Sequence, residues 1–327
     1  MNKMPDSVKI GIIGAGFWGA NHARVISELE GATLTAICDI NIERAKSIAR
    51  RYGVPRVFQD YADLLRCDEI DAVTICTPST AHAEICIEAL SRGKDVLVEK
   101  PMASSLEESM RVVDAAKSSG KRVMVGFIER FNPAVEVAKD FLEKGRIGRP
   151  ILIYGRRIGP WPERIGDIGV LKDTSIHDID LSLYFFGPQP IYVYAAGGAF
   201  RHSNEDYIQA LITFRDERSA IIEANWLTPR KKRDLRITGT EGVIHVEFLS
   251  REVTIEKSDG TYMPMTPNSE PLKNELRYFV TSLMRGEELS PGCMEGARAM
   301  AVAEAILQSI STKKAVCVSD MLSLHGL

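Results

Sequence analysis

One short segment in the second half of the chain carries three ionisable side chains at a helical spacing. Asp173, His177 and Asp180 stand at i, i+4 and i+7, which is one stripe of a predicted helix over residues 173–186. The rest of that helix is apolar, so the stripe should be buried and should need partners or a ligand. Histidine changes charge near neutral pH, so the segment is a candidate for acid–base chemistry. The alternatives are a helix cap with a core histidine and a metal site, although no further ligand supports a metal.

Lys100 is the second candidate for chemistry. It follows a predicted strand over residues 95–98 and stands between Glu99 and Pro101. Most lysines are solvated surface residues, but a proline directly after this one restrains the backbone and allows a cis bond. A lysine held at the end of a buried strand could stabilise negative charge on a substrate oxygen. It could instead be the base if burial lowered its pKa.

A glycine-rich turn near the start of the chain predicts a dinucleotide site. Gly14, Gly16 and Gly19 follow a predicted strand and precede a predicted helix, a spacing that allows a tight turn, close approach of a pyrophosphate and close helix packing. Asp39 ends the next strand, twenty positions after Gly19, where a carboxylate binds an adenosine ribose and repels a 2′-phosphate. The pattern favours NAD over NADP, although Arg44 is close enough in sequence to reach a phosphate.

Two groups of basic residues follow in the second half of the chain. Arg156 and Arg157 end a predicted strand, Arg164 lies in the loop after it, and residues 230–233 read Arg-Lys-Lys-Arg. Such runs are usually solvated loops. Guanidinium groups also bind phosphate oxygens through paired hydrogen bonds, so together these residues could form an anion pocket.

The elements that must position these residues fall into two patterns. In the first third, strands and helices alternate, which indicates a parallel sheet with ligands at the carboxyl ends of its strands. The strands are predicted over residues 9–13, 33–38, 72–77, 95–98 and 122–127, and the helices over 20–29, 42–52, 81–91 and 106–118. After Gly126, longer strands with period-two alternation predict a meander. The later elements are strands over 151–157, 191–200, 207–214, 219–226, 235–238, 243–248 and 253–256, and helices over 133–144, 173–186, 272–283 and 295–310.

The predicted fold is therefore α/β, with an N-terminal Rossmann dinucleotide-binding domain over residues 1–126. A C-terminal α+β domain over residues 127–327 carries a large, mostly antiparallel sheet for substrate binding and oligomerisation. A net charge of −3 argues against a nucleic-acid binder, and the chain shows no apolar run of membrane-spanning length. The six cysteines form no Cys-x-x-Cys pair and are interpreted as reduced core residues of a cytoplasmic protein, not as zinc ligands.

These motifs, in this order, resemble the glucose–fructose oxidoreductase/inositol dehydrogenase family (Gfo/Idh/MocA). The resemblance covers nearly the whole chain. It rests on the glycine turn, Asp39, Thr77-Pro78-x-x-x-His82, Glu99-Lys100-Pro101 and Asp173-x-x-x-His177-x-x-Asp180. It implies a two-domain NAD(P)-dependent enzyme acting on sugars or cyclitols, with Lys100, Asp173 and His177 as the catalytic set. One departure is that Gly169 to Lys172 lack the glycine pair that many members carry before the aspartate.

Within the family, residues 126–133 and 156–164 look like those of UDP-N-acetylglucosamine 3-dehydrogenases. The resulting prediction is oxidation of the 3-hydroxyl of a UDP-N-acetylhexosamine, such as UDP-N-acetylglucosamine, with NAD as acceptor and Trp161 or Trp226 facing the uracil. His177 is the first choice for the base, with Lys100 open as the alternative. The alternative activities are a free-sugar or inositol dehydrogenase and a glycoside-cleaving enzyme that recycles its NAD. A non-catalytic sensor is disfavoured because the lysine, aspartate and histidine are all present.

The prediction assigns further residues to each ligand and expects no metal. The predicted cofactor-binding residues are Gly14, Gly16, Phe17, Trp18, Gly19, Asp39, Arg44, Thr77, Pro78, His82, Glu99 and Lys100. The predicted substrate-binding residues are Arg130, Asn132, Arg157, Arg164, Asp173, His177 and Lys231. The expected partners are a small sugar or nucleotide-sugar substrate and further copies of the chain. A homodimer or homotetramer through the C-terminal sheet is expected, with no nucleic acid and no membrane.

Overall fold

Six short strands form a parallel sheet in the first part of the computed structural model, which describes residues 7–162 and 168–326. They are β1 (Val8–Ile13), β2 (Ala32–Cys38), β3 (Arg56–Phe58), β4 (Ala72–Ile75), β5 (Asp95–Glu99) and β6 (Val123–Gly126). Their order is β3-β2-β1-β4-β5-β6, and every neighbouring pair is parallel. The order reverses between β1 and β4, where open α/β sheets bind their ligands at the carboxyl ends of the strands.

Helices alternate with these strands along the chain. They are α1 (Phe17–Glu28), α2 (Ile42–Tyr52), α3 (Tyr61–Leu65), α4 (His82–Ser91) and α5 (Leu106–Ser119). The start of α5 shows how the local sequence sets a boundary. The Ser105 side chain accepts a hydrogen bond from the Glu108 N–H, and the Glu108 carboxylate accepts one from the Ser104 N–H. This reciprocal pairing satisfies backbone donors that an uncapped helix start would leave open.

The second sheet has nine strands in the order β14-β13-β12-β11-β7-β10-β9-β8-β15. Its neighbours pair antiparallel except for β7 and β10, which are parallel. The strands are β7 (Pro150–Pro160), β8 (Pro190–Gly198), β9 (Tyr207–Phe214), β10 (Ser219–Asn225), β11 (Leu227–Gly239), β12 (Val243–Glu247), β13 (Glu252–Lys257), β14 (Gly260–Tyr262) and β15 (Val316–Cys317). The alternation of buried and exposed residues along β9 gives this sheet one buried face. A Rossmann sheet followed by a mostly antiparallel sheet confirms the predicted fold class.

Five further helices complete the described chain. They are α6 (Pro133–Glu143), α7 (Ile176–Phe186), α8 (Pro271–Arg285), α9 (Cys293–Thr312) and α10 (Val318–Leu324). The start of α7 differs from the predicted one, because residues 171–175 form a π-helical turn and the α-helix begins only at Ile176. None of the helices in the described ranges is long and apolar enough to cross a membrane.

The backbone contacts group the chain into two units. One extends to Gly126 and includes Leu272–Ala297, and the other holds Phe127–Pro271 and the residues from Arg298 onward. Residues 272–297, expected in the second domain, thus group with the first. Hydrogen bonds account for this grouping: the Val125 N–H donates to the Pro291 carbonyl at 2.8 Å, and the Arg122 guanidinium donates to the Glu287 carbonyl at 3.1 Å.

Candidate active site

The turn between β1 and α1 depends on two glycines with different constraints. Gly14 has a φ of 96°, and a Cβ atom there would lie 2.7 Å from the backbone of Cys76. A Cβ atom on Gly19 would overlap the carbonyl oxygen of Gly14, so α1 lies directly against the turn. A Cβ atom on Gly16 would meet no described atom within 4 Å. The backbone at Gly16 is therefore open to a ligand.

The N-terminus of α1 begins at this open position. None of the side chains that the structure describes caps it, and the Ala20 N–H donates to the Gly16 carbonyl as the first helical bond. The N–H groups of the first helical residues have no acceptor within a helix, and such groups bind phosphate. Phe17 is largely exposed beside them, and Trp18 is half-buried. This arrangement fits the pyrophosphate of a dinucleotide.

Asp39 is held against the glycine turn. Its Oδ2 accepts a hydrogen bond from the Ala15 N–H at 2.7 Å, and its Oδ1 accepts one from the Asn41 N–H at 2.8 Å. A carboxylate oxygen has two lone pairs, so each oxygen can accept a further bond from a ribose hydroxyl. The Arg44 Nη1 lies 3.5 Å from Oδ2. Because that guanidinium is paired with the carboxylate, the site fits NAD better than a cofactor with a 2′-phosphate.

Three of the predicted cofactor residues, Thr77, Pro78 and His82, lie in the segment after β4. The Thr77 hydroxyl is buried with no hydrogen-bond partner within the described residues, which fits a ligand contact, and Pro78 beside it is exposed. His82, also predicted to bind the cofactor, contacts two backbone carbonyls. Its Nδ1 lies 2.7 Å from the Pro101 carbonyl oxygen and its Nε2 lies 2.9 Å from that of Thr77. Burial lowers the pKa of His82, against the raising effect of the two carbonyls. Its ring therefore links the segments that follow β4 and β5.

Glu99, also predicted to bind the cofactor, has both carboxylate oxygens in contact with protein groups. Oε1 lies 3.1 Å from Nε2 of the fully buried His22, and Oε2 accepts a hydrogen bond from the Lys100 N–H at 3.3 Å. Burial lowers the pKa of His22, but Cys76 and Glu99 outweigh it and hold that pKa well above its ordinary value. The pair is thus a buried ion pair directly before Lys100, whose peptide bond to Pro101 is cis.

His22 is not among the residues predicted from the sequence. It lies on the face of α1 that also buries Gly19, Ala23 and Val25, an otherwise small and apolar stripe. A histidine on such a stripe needs a polar partner. That partner, Glu99, lies far along the chain, so the periodicity indicates the need for a partner but not its identity.

In the second unit, Asp173 and His177 are both buried on or next to α7. Asp173 lies in the π-helical turn, where the Ile176 N–H donates to the Leu171 carbonyl five residues earlier. Such turns are frequent at functional sites. Asp173 is 7% exposed and His177 9% exposed, and Asp178 and Asp180 on the same helix are buried as well. Buried ionisable groups of this kind are the expected signature of a reactive site.

Arg130 and Asn132, from the predicted substrate-binding set, both contact protein groups. The Arg130 guanidinium donates two hydrogen bonds to Asp180, at 2.8 and 2.6 Å, and lies over the Tyr184 ring. Asn132 is buried at the N-terminus of α6, where its side chain accepts from the Ala134 N–H and donates to another side chain. The first residue pairs with a carboxylate of α7 and the second caps a helix, so both serve the fold.

Arg157, also predicted to bind the substrate, is buried between two carboxylates. Its side chain is 1% exposed; Nε donates to Asp178 at 2.8 Å and Nη1 donates to Glu129 at 2.7 Å. The guanidinium also lies over the Phe248 ring at 4.4 Å. Burial raises the pKa of Asp178 to about 6, although Arg157 opposes the shift. The guanidinium thus belongs to a buried group of charges with Asp178 and Glu129.

The remaining basic residues are less informative. Arg156 pairs with Asp234 at 2.9 Å, while Lys231 is exposed on β11. Arg164 lies outside the described residues. Of the predicted anion pocket, Arg156 and Arg157 are thus paired with carboxylates, whereas residues 230–232 are exposed.

Models of one protein family match both the N-terminal and the C-terminal part of the chain. A model of the Gfo/Idh/MocA oxidoreductase family with an NAD-binding Rossmann fold matches residues 8–127, and one of the Gfo/Idh/MocA C-terminal domain matches residues 135–245. The uncharacterized oxidoreductase YrbE of Bacillus subtilis (strain 168) is 30% identical over 94% of this chain and 96% of its own. The chain belongs to the Gfo/Idh/MocA family.

Two further relatives of this Gfo/Idh/MocA protein carry names with substrates. The scyllo-inositol 2-dehydrogenase (NAD(+)) of Bacillus subtilis (strain 168) is 32% identical over 87% of this chain and 88% of its own. Levoglucosan dehydrogenase, solved with NADH and levoglucosan, is 25% identical, with a TM-score of 0.88 over 95% of this chain and 99% of its own.

Membership of the family confirms that the protein is an NAD-dependent oxidoreductase. The finer prediction, a UDP-N-acetylglucosamine 3-dehydrogenase, has no such support. The substrates named for these relatives are an inositol and an anhydrosugar, and neither is a nucleotide sugar.

Proposed function

We propose that this Gfo/Idh/MocA enzyme oxidises a secondary hydroxyl of an uncharged cyclitol or sugar, with NAD as the acceptor. The observation that carries the proposal is the pairing of Arg130, Arg156 and Arg157 with carboxylates. A nucleotide sugar brings a pyrophosphate that needs cationic partners. A polyol brings only hydroxyl groups, which neutral and anionic acceptors can bind. The names of the inositol and levoglucosan relatives support the same substrate class.

The proposed roles follow from the chemistry of alcohol oxidation. His177 accepts the proton of the reacting hydroxyl, because an imidazole is the side chain best suited to proton transfer near neutral pH. Lys100 donates a hydrogen bond to the same oxygen and stabilises its developing negative charge. Asp173 orients the imidazole or binds a neighbouring hydroxyl. The bound nicotinamide supplies the hydride acceptor.

A substrate screen tests the proposal. The wild-type enzyme is incubated with NAD and, in turn, myo-inositol, scyllo-inositol, levoglucosan, free hexoses and UDP-N-acetylglucosamine, and NADH formation is followed by absorbance. Turnover of an uncharged cyclitol or sugar with the highest kcat/KM is the expected result. A higher kcat/KM on the UDP-sugar would show that the predicted anion pocket exists after all.

We also propose that the second unit self-associates through the exposed face of its nine-stranded sheet. Tyr194 lies opposite Leu211, and Leu211 lies opposite Ile221, so the three form a row across β8, β9 and β10. Each is between 39% and 52% exposed. Contiguous exposed apolar side chains of this kind mark interaction surfaces. A homodimer or homotetramer would bury the row.

A further inference from the structure

Two hydrogen bonds connect a buried tryptophan to Asp173. The Trp226 Nε1–H donates to the Thr174 hydroxyl at 3.2 Å, and that hydroxyl donates to Oδ2 of Asp173 at 3.1 Å. An indole N–H can only donate, so the Thr174 oxygen is the acceptor in the first bond. The single hydroxyl hydrogen of Thr174 is then left for the carboxylate. The tryptophan therefore sets the direction of both bonds.

Trp226 is itself held in place. It lies between β10 and β11, is 5% exposed, and its backbone N–H donates to the Asp206 carbonyl at 2.9 Å. Its ring meets the Trp161 ring edge to face, with centroids 4.6 Å apart. An edge-to-face contact of this kind favours one ring orientation. The Trp226 Nε1–H, the first donor in this series of hydrogen bonds, is thus fixed by packing before any ligand binds.

The other end of this pair of hydrogen bonds, Asp173, lies on the π-helical turn. Asp173 and Thr174 are consecutive residues of that turn, and threonine is restricted at χ1 because it is β-branched. A carboxylate can rotate about its terminal bond unless a donor holds one oxygen. The hydroxyl on Oδ2 supplies that restraint.

We propose that Thr174 and Trp226 are positioning residues that fix the carboxylate of Asp173 for catalysis. The proposal rests on the proposed function, since it assumes that Asp173 takes part in the reaction. A positioned group contributes to the rate only while its geometry is held, and small displacements lower kcat strongly. Loss of the Thr174 hydroxyl should therefore lower kcat while leaving NAD binding intact.

A matched pair of substitutions separates the hydrogen bond from packing. Thr174→Val keeps the branched shape and removes the hydroxyl, whereas Thr174→Ser keeps the hydroxyl and removes a methyl group. A hydrogen bond to a charged group is worth enough that we expect a fall in kcat of roughly tenfold in Thr174→Val. Thr174→Ser should stay within about twofold of wild type. Trp226→Phe removes the indole N–H donor and keeps an aromatic ring. Its kcat should lie between those of Thr174→Val and Thr174→Ser.

A substrate-free readout tests the bond itself. The chain has three tryptophans, so the indole N–H resonances of protein labelled with ¹⁵N-tryptophan can be assigned with Trp226→Phe and Trp161→Phe. The Trp226 resonance should move upfield in Thr174→Val and stay in place in Thr174→Ser. NADH binding and the melting temperature are measured on every variant.

The outcomes are distinct. If the resonance moves and only Thr174→Val loses kcat, the positioning role holds. If Thr174→Val keeps the wild-type resonance or the wild-type kcat, the proposal is wrong, whichever substrate the enzyme uses. If wild type oxidises no polyol but the resonance moves as expected, the hydrogen-bond chain stands and the proposed function fails.

Discussion

Replacing Arg157 by alanine should lower the stability of the protein strongly and should affect the binding of substrate or NAD much less. The guanidinium is 1% exposed and bonds to two carboxylates, Glu129 at 2.7 Å and Asp178 at 2.8 Å. Its removal leaves both acids buried with their main cation gone. Removing one partner of a buried pair costs about 3–5 kcal/mol. Small proteins are stable by only about 5–15 kcal/mol, so this loss is a large fraction of the total.

The same substitution should make stability depend more steeply on pH. The pKa of Asp178 is raised by burial to about 6 in the folded wild type, and losing Arg157 raises it further. A raised folded-state pKa contributes stability that is present at low pH and lost as pH rises through it. The deficit of Arg157→Ala relative to wild type should therefore grow as pH rises above about 6, the folded-state pKa of Asp178 in wild type.

Urea denaturation at several pH values measures this deficit. Lys231→Ala, at an exposed position, is the control and should stay within about 0.5 kcal/mol of wild type. The reasoning is refuted if Arg157→Ala is as stable as the control while KM for the substrate rises, because Arg157 would then be a ligand-binding residue.

Four other predictions follow from the site and the sheet. Asp39→Ala should weaken NAD binding and narrow its advantage over NADP in calorimetric titrations, and tighter NADP binding by wild type would contradict the assignment. Lys100→Ala and His177→Ala should each lower kcat by roughly a hundredfold or more with NAD affinity retained; a near-normal kcat in either variant rules out its role. Leu211→Glu should convert the oligomer to a monomer in light scattering, and a monomeric wild type would dismiss the interface. Wild-type stability should fall as pH rises above 6.5, the ordinary pKa of His22, since its folded-state pKa is raised, and His22→Gln should flatten that slope in denaturation at increasing pH.

The fold was predictable because its signals are local. Alternating strand and helix patterns and the spacing of the glycines determine the Rossmann sheet without knowledge of distant contacts. Among the features that were not predicted are the strand β3 and the grouping of α8 with the first unit. β3 is three residues long, too short for a periodicity to show. α8 has an apolar face like any other helix, and nothing in its own sequence indicates on which unit that face packs.

The site was less predictable, because the partner of a charged residue is not encoded near it. Arg157 is predicted at a strand end, whereas β7 continues to Pro160, and its carboxylates lie 21 and 28 positions away along the chain. The same holds for His22, whose partner Glu99 is 77 positions away. A motif predicts where a residue lies in the fold. Whether its charge is free for a ligand depends on which elements the fold brings beside it.

The charge around α7 bears directly on the substrate. Arg233 is mostly buried, and burial together with Arg157 lowers its pKa, while Glu129, Asp173 and Asp178 oppose the shift. These residues therefore comprise two guanidinium groups and three carboxylates. Counted over these five groups alone, a pyrophosphate would meet one more negative than positive charge, in an interior where charges are weakly screened. A polyol would meet oxygen acceptors for its hydroxyl groups at no such cost. These five groups thus support the proposed uncharged substrate, even though the sequence of this unit is rich in arginine.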